Sequence, residues 1–333
     1  MSRRGVPHPP DDVRDGVELT HLDQPVFDGA EASKRDLVDY LDAVAGAILP
    51  GLAGRPLSVI RARPGQAPFM QKNLPRHAPD WIASTAAWAE TSQREVRYAL
   101  CDDRRTLLWF ANQRAIEYHP TLLAGGATRS AELVLDLDPP EGGPFSRVVA
   151  AAYLVREALA AAGLDAAVKT SGAKGLHLFV PLREPVEIVD AFAATRALAA
   201  RAAALGPDVA TTAFIRADRG ERVFLDPTRA GGATLVAAYS PRARPGLPVS
   251  FPVSWDELDA IGPGDFTVRT APERLGDADP WRERMPQPQP MPDGLVEEGH
   301  TIPVPRVQAM HEGKRRKRAA ARQQQQQQEE ERS

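Results

Sequence analysis

Three short segments carry side chains whose types and spacing suit phosphate chemistry. The first holds Asp136 and Asp138, at the end of Glu132–Asp138 (ELVLDLD), where alternating apolar residues spell a strand. Positions i and i+2 of a strand share a face, so the two carboxylates stand side by side ahead of Pro139-Pro140. Like charges that close resist burial without a cation, and hard oxygen donors suit Mg²⁺ or Mn²⁺. By itself the pair also fits a solvated strand end, and D-x-D occurs in nucleotide-sugar transferases.

The second segment is Thr170–His177 (TSGAKGLH). Its glycines let the backbone approach a phosphate, Ser171 offers a hydroxyl and Lys174 an ammonium, and His177 opens the next strand. It is not the G-x-x-x-x-G-K-[ST] phosphate loop, because this turn joins two strands. A glycine hairpin with one solvated lysine is the alternative. The third segment runs from Arg219 to Asp226 (RGERVFLD), with Arg242 and Arg244 following in YSPRARPG. Arginines close to carboxylates suit phosphoryl transfer, with metal on one side of a triphosphate and guanidinium on the other. An exposed ion-pair network would look the same.

These residues need a scaffold. Ser33 as N-cap and Asp36 at the third helical position open a helix, continued by Leu37, Leu41, Val44 and Ile48 and ended by Pro50-Gly51. Residues 55–63 and 96–100 read as strands, and 80–89 and 106–116 as helices. The N-terminal part, 17–130, is therefore a mixed α/β module, preceded by a proline-rich and charged arm (1–16) expected to be disordered. The next stretch reads strand 132–138, helix 146–162, strands 166–171 and 176–182, helix 188–205, and strands 222–226 and 234–240. This β-α-β-β-α-β order is the ferredoxin-like, or RRM-like, split βαβ, expected over 131–279. In it the first strand is central between the third and fourth, so 132–138, 176–182 and 222–226 become neighbours. The register, and so whether Asp226 lies level with Asp138, stays open. Residues 280–333 contain MPQPQPMPDG and GKRRKRAAARQQQQQQEEERS, and are expected to be a proline-rich linker and a disordered tail.

Taken together, D-x-D, S-G-x-K-G-x-H, F-L-D-P-T-R and Y-S-x-R-A-R-P-G resemble the archaeo-eukaryotic primase superfamily. They are most similar to the polymerase domain of bacterial ligase D and its stand-alone relatives. The N-terminal blocks T-H-x-D, K-R-D-L-V-D-Y-L, G-R-P-L-S-V-I-R, F-M-Q-K and L-L-W-F-A-N-Q-R-A-I-E-Y-H-P extend the resemblance over about 17–275. It implies an α/β (α+β) primase-polymerase fold. It also implies template-dependent addition of NTPs or dNTPs to primer 3′ ends in gaps or at breaks, by two-metal catalysis. Asp136, Asp138 and Asp226 match the metal-holding aspartates, for two Mn²⁺ or Mg²⁺ ions. Ser171, Lys174, His177, His119, Arg242 and Arg219 are the residues expected around the nucleotide. Lys34, Arg61, Phe69, Lys72 and Arg244 are those expected on DNA. The sequence departs from the pattern at Gln24, where the family often has a second lysine for a downstream 5′-phosphate. It departs again at Met70, where a second aromatic is usual, and at Ala230, where asparagine is. A DNA-end-binding module of the same fold with little catalysis is the alternative; the complete aspartate set speaks for an enzyme.

Composition alone gives a different impression. With 41 basic and 44 acidic residues the net charge is −3, which argues at first against a nucleic-acid partner. The average hides unlike parts: 300–333 hold eight basic and four acidic residues, leaving 33 against 40 in the body, while 55–76 hold five basic residues and no acid. Lysine is scarce, only six residues against 35 arginines, so each lysine merits inspection. The single cysteine excludes a disulfide framework. No apolar run reaches membrane length, and the N-terminus lacks a signal-peptide core, giving the expectation of a cytoplasmic, nucleoid-associated protein. No lysine stands in the K-x-D-G context of ligase adenylation, so nick sealing is expected from a separate ligase, with Ku the other candidate partner.

Overall fold

A computed structural model describes residues 11–304, except 90–93, 125, 232–233 and 277–278. The described chain opens with β1 (Asp12–Arg14), inside the arm expected to be disordered (1–16), paired antiparallel with β2 (Val17–Leu19); residues 1–10 of that arm lie outside the described residues. Asp15 and Gly16 between them both have positive φ, 50° and 73°, as a two-residue Asp-Gly hairpin requires. Arg14 then ties the hairpin to Asp39 and Asp42.

Ser33 caps α1 (Lys34–Ala43) through the predicted capping box with Asp36. The helix does not run on to Pro50: it breaks at Val44, and α2 (Ala45–Leu52) carries Pro50 inside it. A sheet follows from β3 (Leu57–Arg63), β4 (Gln66–Gln71), β5 (Ser84–Ala89) and β6 (Arg94–Ala99), ordered β4-β3-β6-β5. The expected helix over 80–89 is thus β5, paired along its length with β6. The expected helix 106–116 is α3 (Arg104–Asn112), capped by Asp103, then β7 (Ala115–Pro120) pairing with β3. Arg114, at φ 59°, makes the bend between them.

The second sheet follows the expected order. β8 (Arg129–Asp138) leads into α4 (Phe145–Ala161), then β9 (Ala167–Thr170), β10 (Leu176–Glu187), α5 (Ile188–Leu205), β11 (Ala210–Thr211) and β12 (Val223–Asp226). Helix α4 starts after Pro144 rather than at Ser146. With β13 (Pro252–Val253) the sheet reads β11-β12-β8-β10-β9-β13, so β8 lies between β10 and β12 as the topology demands. Residues 234–240, expected as a strand, instead cross as irregular chain, bridging Thr234 to Thr121. Helices α4 and α5 bury alanine-rich faces on this sheet, where Leu133, Leu135, Leu137, Leu176, Leu178 and Leu225 are fully buried.

The expected linker is ordered as far as residue 304. After α6 (Ala271–Leu275) come α7 (Pro280–Arg284) and α8 (Leu295–Thr301). Trp281 packs edge-on against Phe179, and Gln289 exchanges main-chain hydrogen bonds with Pro181 and Arg183. Helix α8 sits on α5: Arg196 donates to the Gly299 carbonyl, Arg201 pairs with Glu298, and a Cβ on Gly299 would lie 1.9 Å from the Ala193 oxygen. Low hydropathy in this stretch misled because its order comes from partners, not from a core of its own. Residues 305–333, including the basic and glutamine runs, lie outside the described residues.

Candidate active site

Strand register resolves what the sequence left open. Asp226 lies opposite Asp136, while Asp138 faces Phe224. On the other side Asp136 faces His177, and His177 faces Lys169. Directly opposed residues project to one face, so Lys169, His177, Asp136 and Asp226 form a single row across β9, β10, β8 and β12. Asp138 stands two residues along from Asp136 on that same face.

The carboxylates differ in environment. Burial alone would raise the Asp136 pKa, but His177 (Nε2 to Oδ1, 3.4 Å) and Arg229 (Nε to Oδ2, 3.0 Å) hold it down to about 2. Burial and the neighbouring Asp136 raise Asp138, against the pull of Lys174, Arg219 and Arg216. Asp226 accepts from the Thr228 hydroxyl and amide at 2.6 and 2.8 Å, and lies 3.5 Å from Arg229. Among the described residues, no three His, Cys, Asp or Glu side chains are drawn together as a ready metal cage. The Arg229 guanidinium stands between Asp136 and Asp226 instead, supplying the positive charge that this pair requires. Three carboxylates at the end of two adjacent strands, one of them pushed up by its neighbour, are a donor set that fits hard divalent cations.

Beside the row, the Ser171–Gly175 turn closes on itself. The Ser171 hydroxyl accepts from the Ala173 and Gly175 amides, and its amide donates to the Gly175 carbonyl. Gly172 has φ 66°, which favours glycine. Lys174, Ser171, His119, Arg242, Arg244, Met70 and the row residues Asp136 and His177 line one cavity of about 320 Å³. Here Arg242 donates to the Ser171 carbonyl at 2.5 Å and pairs with Glu117 at 3.0 Å. Glu117 also receives His119 Nε2 at 2.8 Å and the Ala243 amide at 2.9 Å.

Burial should raise Glu117, yet His119, Arg242 and the Ala243 amide hold it down to about 2. A carboxylate lowered on folding stabilises above its ordinary value of 4.5 and loses that contribution as pH falls toward 2. The difference amounts to on the order of 3 kcal/mol for this buried group. Glu117→Gln is therefore expected to lower Tm near neutrality, with the gap from wild type closing in melts taken from pH 5 down toward 2.

The other expected contacts divide. Phe69 and Met70 are exposed on the edge strand β4, and Lys72 follows them, also exposed. Arg244 is exposed at the cavity rim. Arg219, expected at the nucleotide, lies 4.0 Å from Asp138, covers the Phe224 ring at 3.7 Å, donates to the Ala213 and Phe214 carbonyls, and lines an adjoining cavity that shares Asp138 and Lys174 with the first. Arg61, expected on DNA, is 5% exposed, bound to the Gln113 carbonyl and Gln71, with the Phe69 ring 5.9 Å away. It shapes the base of Phe69 rather than offering a free cation. Lys34 is 2% exposed, donating to the Thr20 carbonyl and Asn112; burial and Arg114 bring it down to about 8. Gln24 accepts from Arg114 at 2.8 Å.

Sequence reading passed over three residues. Arg229 follows Asp226 by three positions, Glu117 precedes His119 by two on a strand, and Lys169 is one of the few lysines the chain keeps. Each could have been found from spacing or scarcity.

The LigD primase-polymerase family matches residues 33–281. The chain is 32% identical over 268 residues to the bifunctional non-homologous end joining protein LigD of Bacillus subtilis, covering 79% of this chain and 43% of that protein. It is 33% identical over 295 residues to the multifunctional LigD of Mycobacterium tuberculosis, covering 84% of this chain and 38% of that one. It thus spans well under half the length of these relatives. Among solved structures, the polymerase domain of Mycobacterium tuberculosis ligase D in complex with DNA superposes with a TM-score of 0.73 at 31% identity, covering 81% of this chain and 97% of that one. Matched in sequence and over nearly the whole of a solved polymerase domain, this chain belongs to the LigD primase-polymerase family.

Proposed function

We propose that the chain extends primer 3′ ends with NTPs or dNTPs, templated by DNA, in gaps or at breaks under repair. The observation that carries this reading is the row of Asp226, Asp136 and His177 beside the Ser171–Gly175 turn, with Asp136, Asp138, Lys174 and Arg242 lining one cavity. Asp136, Asp138 and Asp226 would hold two divalent ions, Mn²⁺ or Mg²⁺; bound there, they would supply activation of the primer hydroxyl and charge for the leaving pyrophosphate. Around them the protein's own groups divide the work. Lys174 and Arg242 receive the triphosphate, and Arg229 turns from the carboxylates toward it. Glu117 fixes His119, the residue proposed for the sugar, and Arg242 on one carboxylate. Phe69 offers one ring on which a template base stacks. DNA is the proposed partner because the matching solved domain holds DNA; a DNA ligase and Ku are proposed beside it because the relatives are named for end joining.

Incorporation of labelled NTP and dNTP on gapped DNA with Mn²⁺ tests the reading, and no extension of any such substrate would refute it. The same assay tests end recognition. Lys34 is buried on internal acceptors and Gln24 is uncharged, so gaps with and without a downstream 5′-phosphate should be filled at rates within a few-fold. Strong stimulation by the phosphate, unchanged in Gln24→Lys, would contradict this.

A further inference from the structure

The row of the active site has a fourth member that the chemistry above does not use. Lys169 is 1% exposed, and its Nζ lies 2.7 Å from His177 Nδ1, 2.7 Å from Ser250 Oγ and 3.0 Å from the Val236 carbonyl. We propose that Lys169 is a positioning residue: it donates to His177 Nδ1 and so fixes the imidazole with its proton on Nε2, facing Asp136 and the nucleotide cavity.

The argument is a count of donors and acceptors. The Val236 carbonyl can only accept. Ser250 gives its own hydroxyl proton to the Thr170 carbonyl at 2.8 Å, so toward Lys169 it too only accepts. Burial and Arg242 disfavour the Lys169 charge, but three acceptors at hydrogen-bond distance, the Val236 carbonyl, Ser250 Oγ and a His177 Nδ1 lone pair, match the three protons of an ammonium, whereas an amine would leave one of them unmet. That nitrogen then presents a lone pair, and the ring proton must sit on Nε2, 3.4 Å from Asp136 Oδ1. The opposite tautomer would set a bare Nε2 lone pair against a carboxylate, two acceptors facing each other. The Phe179 ring, 5.8 Å from Nζ, adds a face suited to a cation. Register supports the assignment independently, since Lys169 and His177 are directly opposed on β9 and β10. A donor held in this way is already aimed when an anionic phosphate arrives, so no ordering of the ring is needed on binding.

The kinetic part rests on the polymerase reading above; the spectroscopic part does not. Nitrogen-15 spectra of histidine-labelled wild type, with the His177 signals identified by their loss in His177→Gln, report the tautomer without metal or nucleotide. The expected result is a protonated Nε2 and an unprotonated Nδ1; a protonated Nδ1, or an equal mixture, overturns the proposal. Because this needs no change at Lys169, misfolding of a variant cannot leave it undecided. In Lys169→Met the Nε2–H preference should weaken, because Asp136 alone is left to favour it, with KM for the incoming nucleotide raised about tenfold and kcat changed less than threefold. A folded Lys169→Met protein with the wild-type tautomer and KM also overturns it. A chain that shows the expected tautomer yet extends no primer refutes the polymerase reading alone and leaves the role of Lys169 standing.

Discussion

Replacing Asp136 and Asp138 together by alanine should abolish primer extension, by at least about a thousandfold, and leave the protein folded. Both halves of that expectation come from geometry. Asp136 is the centre of the row, flanked by His177 and Asp226 on the neighbouring strands, and Asp138 is its same-face neighbour. Without them, any cation at the site keeps Asp226 alone. Folding should survive because the two carboxylates oppose each other in the metal-free protein: Asp138 is raised by burial and by Asp136. Arg229 loses one partner but keeps Asp226. Labelled-nucleotide incorporation on gapped DNA, with Tm measured alongside, checks both. Equal extension by variant and wild type would refute the metal-site assignment.

The second large effect should come from a single methyl group. In Gly175→Ala the new Cβ would lie 2.3 Å from the Leu137 carbonyl oxygen, which belongs to the backbone of β8 and cannot swing aside. Either the turn lifts from β8, carrying Ser171, Lys174 and His177 with it, or β8 shifts between its two aspartates. Overpacking of this kind costs about 1–3 kcal/mol, and the nucleotide KM should rise by more than about tenfold. Gly46→Ala in α2, where a Cβ meets nothing within 4 Å, is the matched control and should be near neutral. A Gly175→Ala protein with wild-type Tm and KM would show that the turn does not depend on this close approach.

Strand order on the second sheet was legible because the apolar pattern, the helix stops and the β-α-β-β-α-β order agree with one another. Register was not, because an alternating pattern fixes which face a residue takes but not its level on the next strand. That is why Asp226 could be placed near the D-x-D pair but not opposite Asp136. The Asp15-Gly16 hairpin was legible and was passed over in favour of composition. Residues 80–89 misled through their alanines, which favour helix, whereas pairing with β6 decides the outcome. Arg61 and Lys34 illustrate a different limit. A basic side chain in a basic window looks available to DNA, and nothing local reveals that Gln113, Asn112 and Thr20 wait to receive it. Spacing and scarcity pointed to Glu117 and Lys169, but not to what they do, because their contacts with Arg242 and Ser250 join segments distant in the chain.

The seating of α8 on α5 bears on cooperativity. Short helices with few partners commonly open at little cost. Here, opening the last helix would strip Arg196 and Arg201 of their partners and expose the close contact between Gly299 and Ala193. Local release of the C-terminal helix therefore approaches the cost of disrupting α5 itself, and the two should exchange their amide hydrogens as one unit.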